Sequence, residues 1–326
     1  MLTGFKFIDL FAGIGGFHQA LSYYGAKCVF ASEWDKHCQE IYLKNYGILP
    51  EGDITKIPEN KIPSHDILCA GFPCQAFSIS GKQLGFNDTR GTLFFDIVRI
   101  AKYHQPSLLI LENVKNFAKH DEGKTLKVVE NTLHEIGYDV FYQVLNASNF
   151  GVPQKRERIY ILGFRKDLNV KKFIFPNSYG KAKSLIDFCL DDSDTKDFII
   201  NRSDIKIKEN LDITRDILGN YPQKPIRIGT INKGGQGERI YHQFGHAITL
   251  SAYGGGIGAK TGIYLINGKI RKLAPRECAR IMGFPDSFIL SNSNNIAYKQ
   301  FGNSVVANVI RSIVETFKKN YDNLNI

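Results

Sequence analysis

A chain of 326 residues, 43% hydrophobic, is long enough for one large domain plus a smaller one. It has no run of about eighteen apolar residues and no charged-then-apolar start, which argues against a membrane span or secretory leader and leads us to expect a cytoplasmic protein. Six cysteines (28, 38, 69, 74, 189 and 278) form no Cys-x-x-Cys pair and no Cys/His cluster at zinc spacing, so free thiols and no metal are expected, and a formal charge of +10 suits a polyanionic partner.

Residues 5–10 read as a strand, and Phe11-Ala12-Gly13-Ile14-Gly15-Gly16-Phe17 turns into a helix running to about Tyr24. Glycines there let backbone amides approach a ligand at a helix N-terminus. The dinucleotide fingerprint would need Gly or Ala at position 18, where this chain has His18. A second strand, Cys28 to Ser32, delivers Glu33 and Trp34 twenty residues after Gly13, the spacing at which a carboxylate reaches ribose hydroxyls. Glu33 reads equally as a solvated strand end. Trp34 reads as a stacking face for an adenine or as a core aromatic. Asp53, after the next short helix, either closes the same pocket or serves a turn.

Ile67 to Ala70 is an apolar run ending in Gly71-Phe72-Pro73, so it reads as a buried parallel strand. Cys74 follows at the carboxyl edge, where open α/β sheets bind ligands, and is a candidate nucleophile; alone it reads as well as a small buried hydrophobe. Residues 78–90, rich in Gly, Ser, Lys and Gln, read as a mobile loop able to close over a substrate. Leu93 to His104 has helical spacing, with Leu93, Ile97, Ile100 and Ala101 on one face. A strand over Ser107 to Leu111 is followed by Glu112-Asn113-Val114, a carboxylate at the same edge as Cys74. A helix over 125–136 and a strand over 140–147 lead to Gln154-Lys155-Arg156-Glu157-Arg158 before the strand 159–164. Strand periodicity puts Arg156 and Arg158 on one side, two aligned guanidinium groups for an anionic site; the plainer reading is a solvated hairpin.

After Pro176 the composition shifts: residues 187–220 hold nine acidic and five basic residues, whereas 221–272 hold eight basic residues and one acid, Glu238. The later stretch has two glycine loops, around Gly234-Gly235-Gln236-Gly237 and Gly254-Gly255-Gly256, carrying Lys233, Arg239, Tyr253 and Lys260. Such loops suit close backbone approach to phosphates and side-chain reach to base edges, or simply a loop-rich small domain. Ala274 to Gly283 reads as a helix with Pro in its first turn, and Tyr298 to Val306 leads into a final helix ending near Phe317.

Taken together, Phe11-Ala12-Gly13-Ile14-Gly15-Gly16, Gly71-Phe72-Pro73-Cys74-Gln75, Glu112-Asn113-Val114, Gln154-Lys155-Arg156-Glu157-Arg158, Arg276-Glu277-Cys278-Ala279-Arg280 and Gly302-Asn303-Ser304 resemble, in order, the motifs of the cytosine carbon-5 DNA methyltransferases. The small-domain strings Lys233 to Arg239 and Ala252 to Ile257 resemble more narrowly those of bacterial type II restriction-modification systems, although Gly258 stands where a bulkier aromatic is expected.

The resemblance implies an α/β, Rossmann-like fold with a mixed, mostly parallel sheet and a smaller loop- and strand-rich target-recognition domain. It implies a catalytic and cofactor-binding domain over 1–186 and 303–326, target recognition over 187–274 and a connecting hinge over 275–302. It implies S-adenosylmethionine as methyl donor, bound by Phe11, Gly13, Gly15, Glu33, Trp34, Asp53, Pro73, Leu93, Asn303 and Ser304, and a last helix that begins with Gly302-Asn303-Ser304. The partner would be duplex DNA, read by Lys233, Gln236, Arg239, Tyr253 and Gly256 at GCGC, with Ser80 and Gln236 filling the space left by a flipped-out first cytosine. Cys74 would add to carbon 6, with Glu112, Arg156 and Arg158 as its catalytic partners. A monomer is expected.

Rivals fare less well. A zinc nucleobase deaminase needs a second cysteine at Phe77 and a preceding His-x-Glu, but His120-Asp121-Glu122 follows Pro73-Cys74. A nicotinamide dehydrogenase is disfavoured by His18. A transfer-RNA methyltransferase of the same family and a catalytically inactive DNA-binding module remain as alternatives.

Overall fold

The computed structural model describes residues 2–73, 93–178, 183–209, 213–216 and 219–321. Two compact units account for it: Met1–Leu145, Glu157–Pro176 and Ile313–Ile326 form one, Asn146–Arg156 and Asn177–Ser312 the other.

The first unit is built on strands β1 (Lys6–Leu10), β2 (Lys27–Ser32), β3 (Ile67–Gly71), β4 (Leu108–Val114), β5 (Tyr138–Asn146) and β6 (Glu157–Arg165), in the order β2-β1-β3-β4-β6-β5. β1 runs parallel to β2 and β3, β3 is parallel to β4, and β6 is antiparallel to β4. The sheet is therefore mixed and mostly parallel, as expected. Phe7, Ile8, Leu10, Ile67 to Ala70 and Leu108 to Leu111 are all buried, the pattern of strands covered on both faces. Because β1 lies between β2 and β3, the connection after β1 runs to one side and later connections build to the other, so the segments after β1 and β3 border a topological switch point.

Helices α1 (Gly16–Leu21), α2 (Lys36–Tyr46), α3 (Leu93–His104) and α4 (Lys124–Glu135) belong to this unit. Asp35 caps α2 by accepting the amides of His37 and Cys38, and Gly47 closes it in the left-handed conformation. On α3 the inward face is Phe94, Ile97, Val98, Ile100 and Ala101; Leu93 is only half-buried.

Two boundaries differ from expectation. β4 continues through Glu112, Asn113 and Val114, because β6 begins at Glu157 and supplies partners for their backbones (Glu112 with Tyr160, Asn113 with Ile159, Val114 with Arg158). Polar residues that read as the end of a strand are thus held in the ladder by a neighbour distant in sequence. At the other end of the chain, Gly302 and Asn303 close helix α6 (Asn294–Asn303), and the last helix, α7 (Ala307–Tyr321), begins only after Ser304 to Val306. Ser304 is extended (φ −73°, ψ 157°), which stops α6 and corrects the reading in which Gly302-Asn303-Ser304 opens the last helix.

The second unit contains β7 (Lys206–Ile207), β8 (Arg227–Thr230), β9 (Arg239–His242), β10 (Ile263–Ile266) and β11 (Lys269–Arg271) in the order β11-β10-β9-β8-β7, with α5 (Pro275–Ile281) and α6. All neighbours are antiparallel except β9 and β10. Ile228, Ile231, Ile240 and Ile263 form one small hydrophobic cluster within it. Arg271 and Glu277 form a fully buried, two-pronged ion pair (2.7 and 2.8 Å). The Glu277 carboxylate also accepts the amides of Leu190 and Ala274, so its buried oxygens are well satisfied and the first turn of α5 is capped.

Candidate active site

The segment after β1 is shaped by backbone conformations that favour glycine: Gly13 has φ +55° and Gly15 φ +83°. A Cβ at Gly15 would collide with the Tyr46 ring, and Tyr46 Oη donates to the Gly15 carbonyl at 3.0 Å. His18 stacks on that ring at 3.8 Å between centroids. This explains the histidine where a dinucleotide fingerprint has a small residue: it packs beneath the loop.

Glu33, buried at the end of β2, accepts the Gly13 amide on Oε2 and the Asp35 amide on Oε1, both at 2.8 Å. Burial raises its carboxyl above the ordinary range, while those two amides pull it back. Glu33 is therefore no solvated strand end; it ties the glycine loop to the start of α2. Trp34 is 81% exposed, so the core-aromatic reading fails and its ring faces solvent. Asp53 holds a turn with one carboxylate oxygen, Oδ1, which accepts Thr55 Oγ1 at 2.8 Å and the Thr55 amide at 3.1 Å. Those bonds hold its carboxyl below the ordinary range. Phe11 is half-buried against the core, Pro73 is exposed and Leu93 half-buried at the start of α3.

At the carboxyl edge of β3, Gly71 pairs with Glu112 of β4. Glu112 and Arg158 come together, with Arg158 Nε 3.2 Å from Glu112 Oε1, both largely buried. Asn113, to which the sequence motif assigned no task, donates its side-chain amide to the Phe72 carbonyl at 3.0 Å and accepts the Val114 amide at 2.8 Å. It holds the Phe72 backbone just past the end of β3. Only its place between Glu112 and Val114 signalled it. Cys74 and Ser80, and the expected loop over 78–90, lie outside the described residues.

Arg156 does not share a strand with Arg158, since β6 starts at Glu157. Its guanidinium donates to three carbonyls, Leu250 (3.2 Å), Gly302 (3.1 Å) and Ser304 (2.7 Å), and the side chain is 3% exposed. The expected pair of aligned guanidinium groups is thus not formed: Arg156 rivets the second unit's backbone. A Cβ at Gly302 would collide with the backbone of Ser251 and Ala252, which is why that position is glycine. Asn303 is exposed and Ser304 buried.

In the second unit Lys233, Gln236, Tyr253 and Gly256 are exposed, Tyr253 at 71%. Arg239, the first residue of β9, is half-buried. The two glycine loops meet where the Gly258 amide donates to the Gly237 carbonyl at 2.9 Å, and a Cβ at Gly258 would crowd that carbonyl and Ile263. This close approach accounts for glycine in place of the expected aromatic. Among the described residues no group of three or more His, Cys, Asp or Glu is arranged to hold a metal, and no helix is long and apolar enough to cross a membrane.

Comparison with known proteins identifies the family. A family model described as C-5 cytosine-specific DNA methylase matches residues 5–319. The type II methyltransferase M.HhaI of Haemophilus parahaemolyticus is 57% identical over 312 residues, covering 96% of this chain and 94% of that protein. The type II methyltransferase M.HpaII of Haemophilus parainfluenzae is 44% identical over 332 residues, covering 98% and 91%. Among solved structures, the Dnmt2 methyltransferase of S. pombe superposes with a TM-score of 0.70 at 21% identity, over 99% of this chain and 100% of that one, a likeness of fold. A family model matched over residues 5–319, with 57% identity to a type II methyltransferase over 96% of the chain, shows that this protein belongs to the C-5 cytosine-specific DNA methylase family, as a DNA (cytosine-5-)-methyltransferase of the type II kind.

Proposed function

We propose that the protein transfers a methyl group from S-adenosylmethionine to carbon 5 of the first cytosine in duplex GCGC, acting as a monomer in the bacterial cytoplasm within a restriction-modification system. The observation that carries the chemistry is the Glu112–Arg158 pair beside the strand end that leads to Cys74. GCGC is the site implied by the resemblance of the strings Lys233 to Arg239 and Ala252 to Ile257.

The residues after β1 and β2 fit such a donor. Gly13 and Gly15 keep the loop free of side chains, Trp34 offers an exposed ring for an adenine, and each Glu33 oxygen keeps a second lone pair for a ribose hydroxyl after accepting one amide. Phe11, Asp53, Pro73, Leu93, Asn303 and Ser304 complete the proposed donor-binding set. The donor, when bound, supplies an electrophilic methyl group on a sulfonium.

Carbon 5 of cytosine is a weak nucleophile, and carbon 6 is out of reach inside a stacked duplex, so the base must be flipped out. The Cys74 thiolate then adds to carbon 6, forming a carbon–sulfur bond and making carbon 5 enamine-like. Glu112 hydrogen-bonds ring nitrogen 3 and the exocyclic amine, favouring the protonated ring, and Arg158 orients Glu112 and binds the ring carbonyl. After methylation, water takes the carbon-5 proton and the carbon–sulfur bond breaks, regenerating the Cys74 thiolate. Arg156 enters as a positioning residue. Ser80 and Gln236 fill the vacated stack, and Lys233, Arg239, Tyr253 and Gly256 read and hold the site. Residues 1–186 with 303–326 would carry donor binding and chemistry, 187–274 recognition, and 275–302 the connection.

The direct test is transfer of labelled methyl groups to duplex DNA, with the modified positions mapped. Label confined to the first cytosine of GCGC is expected. Transfer to RNA with none to DNA would overturn the substrate.

A further inference from the structure

The loop that carries Lys233, Gln236 and Arg239 is gripped from outside by side chains that no motif contains. Asn232, at its entrance, sits in the left-handed region (φ +47°). Its backbone amide donates to Asp204 Oδ2 at 3.0 Å, its side-chain oxygen accepts from Arg202 at 2.6 Å, and its side-chain nitrogen donates to Glu238 Oε1 at 2.9 Å. Arg202 and Asp204 are joined by two parallel hydrogen bonds of 2.7 and 2.9 Å. On the far side, Glu238 Oε2 accepts the Gly235 amide at 2.8 Å. The Gly237 carbonyl then passes the constraint to the second glycine loop through Gly258.

We propose that Asp204, held by Arg202, is a positioning residue for target recognition: by gripping the Asn232 amide it fixes the loop over 233–239 and so sets base discrimination. The inference rests on the reading that this loop contacts DNA. The physical reason is that a loop with three glycines is entropically soft, and a bidentate base contact is lost when its donor moves by about an ångström. A backbone amide held by a carboxylate that is itself locked by a two-pronged guanidinium is a stiff anchor. The Arg202 hydrogen bonds also hold the Asp204 carboxyl down to about 2, so the anchor stays charged throughout the working range of pH.

The experiment compares kcat/KM for the preferred duplex with that for duplexes carrying one substituted base pair, in full-length enzyme, alongside donor affinity and melting temperature. Asp204→Ala and Arg202→Ala should each lower the discrimination ratio by about tenfold or more, leaving donor affinity unchanged. Asn232→Gly, which keeps the left-handed backbone and the amide gripped by Asp204, should discriminate nearly as well as the parent. Arg202→Ala removes a half-exposed side chain and keeps the test available should Asp204→Ala fold poorly. Unchanged discrimination in Arg202→Ala, or in folded Asp204→Ala, overturns the proposal. Arg239→Ala separates the two readings: if it lowers discrimination while the Arg202 and Asp204 variants do not, the loop reads DNA and the anchor is idle. If none of the three has an effect, the reading of the loop fails as well.

Discussion

Arg158 reaches Glu112 diagonally across β4 and β6, Nε to Oε1 at 3.2 Å, because the antiparallel register pairs Glu112 with Tyr160 and Val114 with Arg158. Diagonal neighbours in a sheet are within reach only of long side chains, and arginine is long enough. Shortening it leaves a buried carboxylate without that guanidinium. Arg158→Ala should therefore cut the single-turnover rate of methyl transfer by about a hundredfold or more, with Arg158→Lys recovering part of it. Rapid quench with labelled donor measures this; a rate within a few-fold of the parent would remove Arg158 from the mechanism.

Cys74→Ser replaces the proposed attacking thiolate with a much weaker nucleophile. Turnover should disappear while donor affinity, measured by calorimetry, stays within a few-fold of the parent. Sustained methylation by this variant would rule out the covalent route.

Glu33 binds two backbone amides as well as any ligand, so Glu33→Ala leaves the Gly13 and Asp35 amides without their acceptor. Two lost charge-assisted hydrogen bonds should weaken donor binding by about tenfold or more. Glu33→Gln, which keeps one acceptor oxygen, should lose less. Titration calorimetry with the donor alone distinguishes the two.

The Arg271–Glu277 pair is fully buried and makes its hydrogen bonds within the second unit. Removing one partner strands a charge, so Glu277→Ala should cost about 3–5 kcal/mol of stability. Urea unfolding of the parent and variant tests it. A cost below about 1 kcal/mol would mean that the freed Arg271 finds water.

His18 gives a pH dependence with a definite sign. Burial lowers its pKa from 6.5 to about 4. The unfolded chain takes up the proton first, so the stabilising contribution is complete above pH 6.5 and is lost as the pH falls toward 4, by up to about 3 kcal/mol. His65, also lowered to about 4 by burial, acts in the same direction. Asp9, whose buried carboxyl is raised well above its ordinary value, acts oppositely: its contribution is present at low pH and lost as the pH rises. His18→Phe, which retains an aromatic ring over Tyr46, should show a smaller loss of stability between pH 7 and pH 5 than the parent. An identical loss would mean the ring titrates normally.

Much of this protein was legible in its residues. The apolar runs 67–70 and 108–111, the glycine loop, and the carboxylates and guanidinium at strand ends are local patterns, because strand burial and tight turns leave periodic and compositional marks. The sequence by itself also determined the chemistry on offer: a thiol after a Gly-Phe-Pro turn, a carboxylate after a buried strand, and a basic glycine-rich segment. Tertiary structure decided how those groups are used. Arg156 and Arg158 are two residues apart and chemically identical, yet only Arg158 meets Glu112, because the strand begins between them at Glu157 and leaves Arg156 among the carbonyls of Leu250, Gly302 and Ser304. Glu33 became the tie of the glycine loop only when β1 and β2 paired. Asp204 became an anchor only when residues 28 positions apart came within hydrogen-bonding distance. Register and long-range closure depend on the whole chain's packing, and a local window does not contain them.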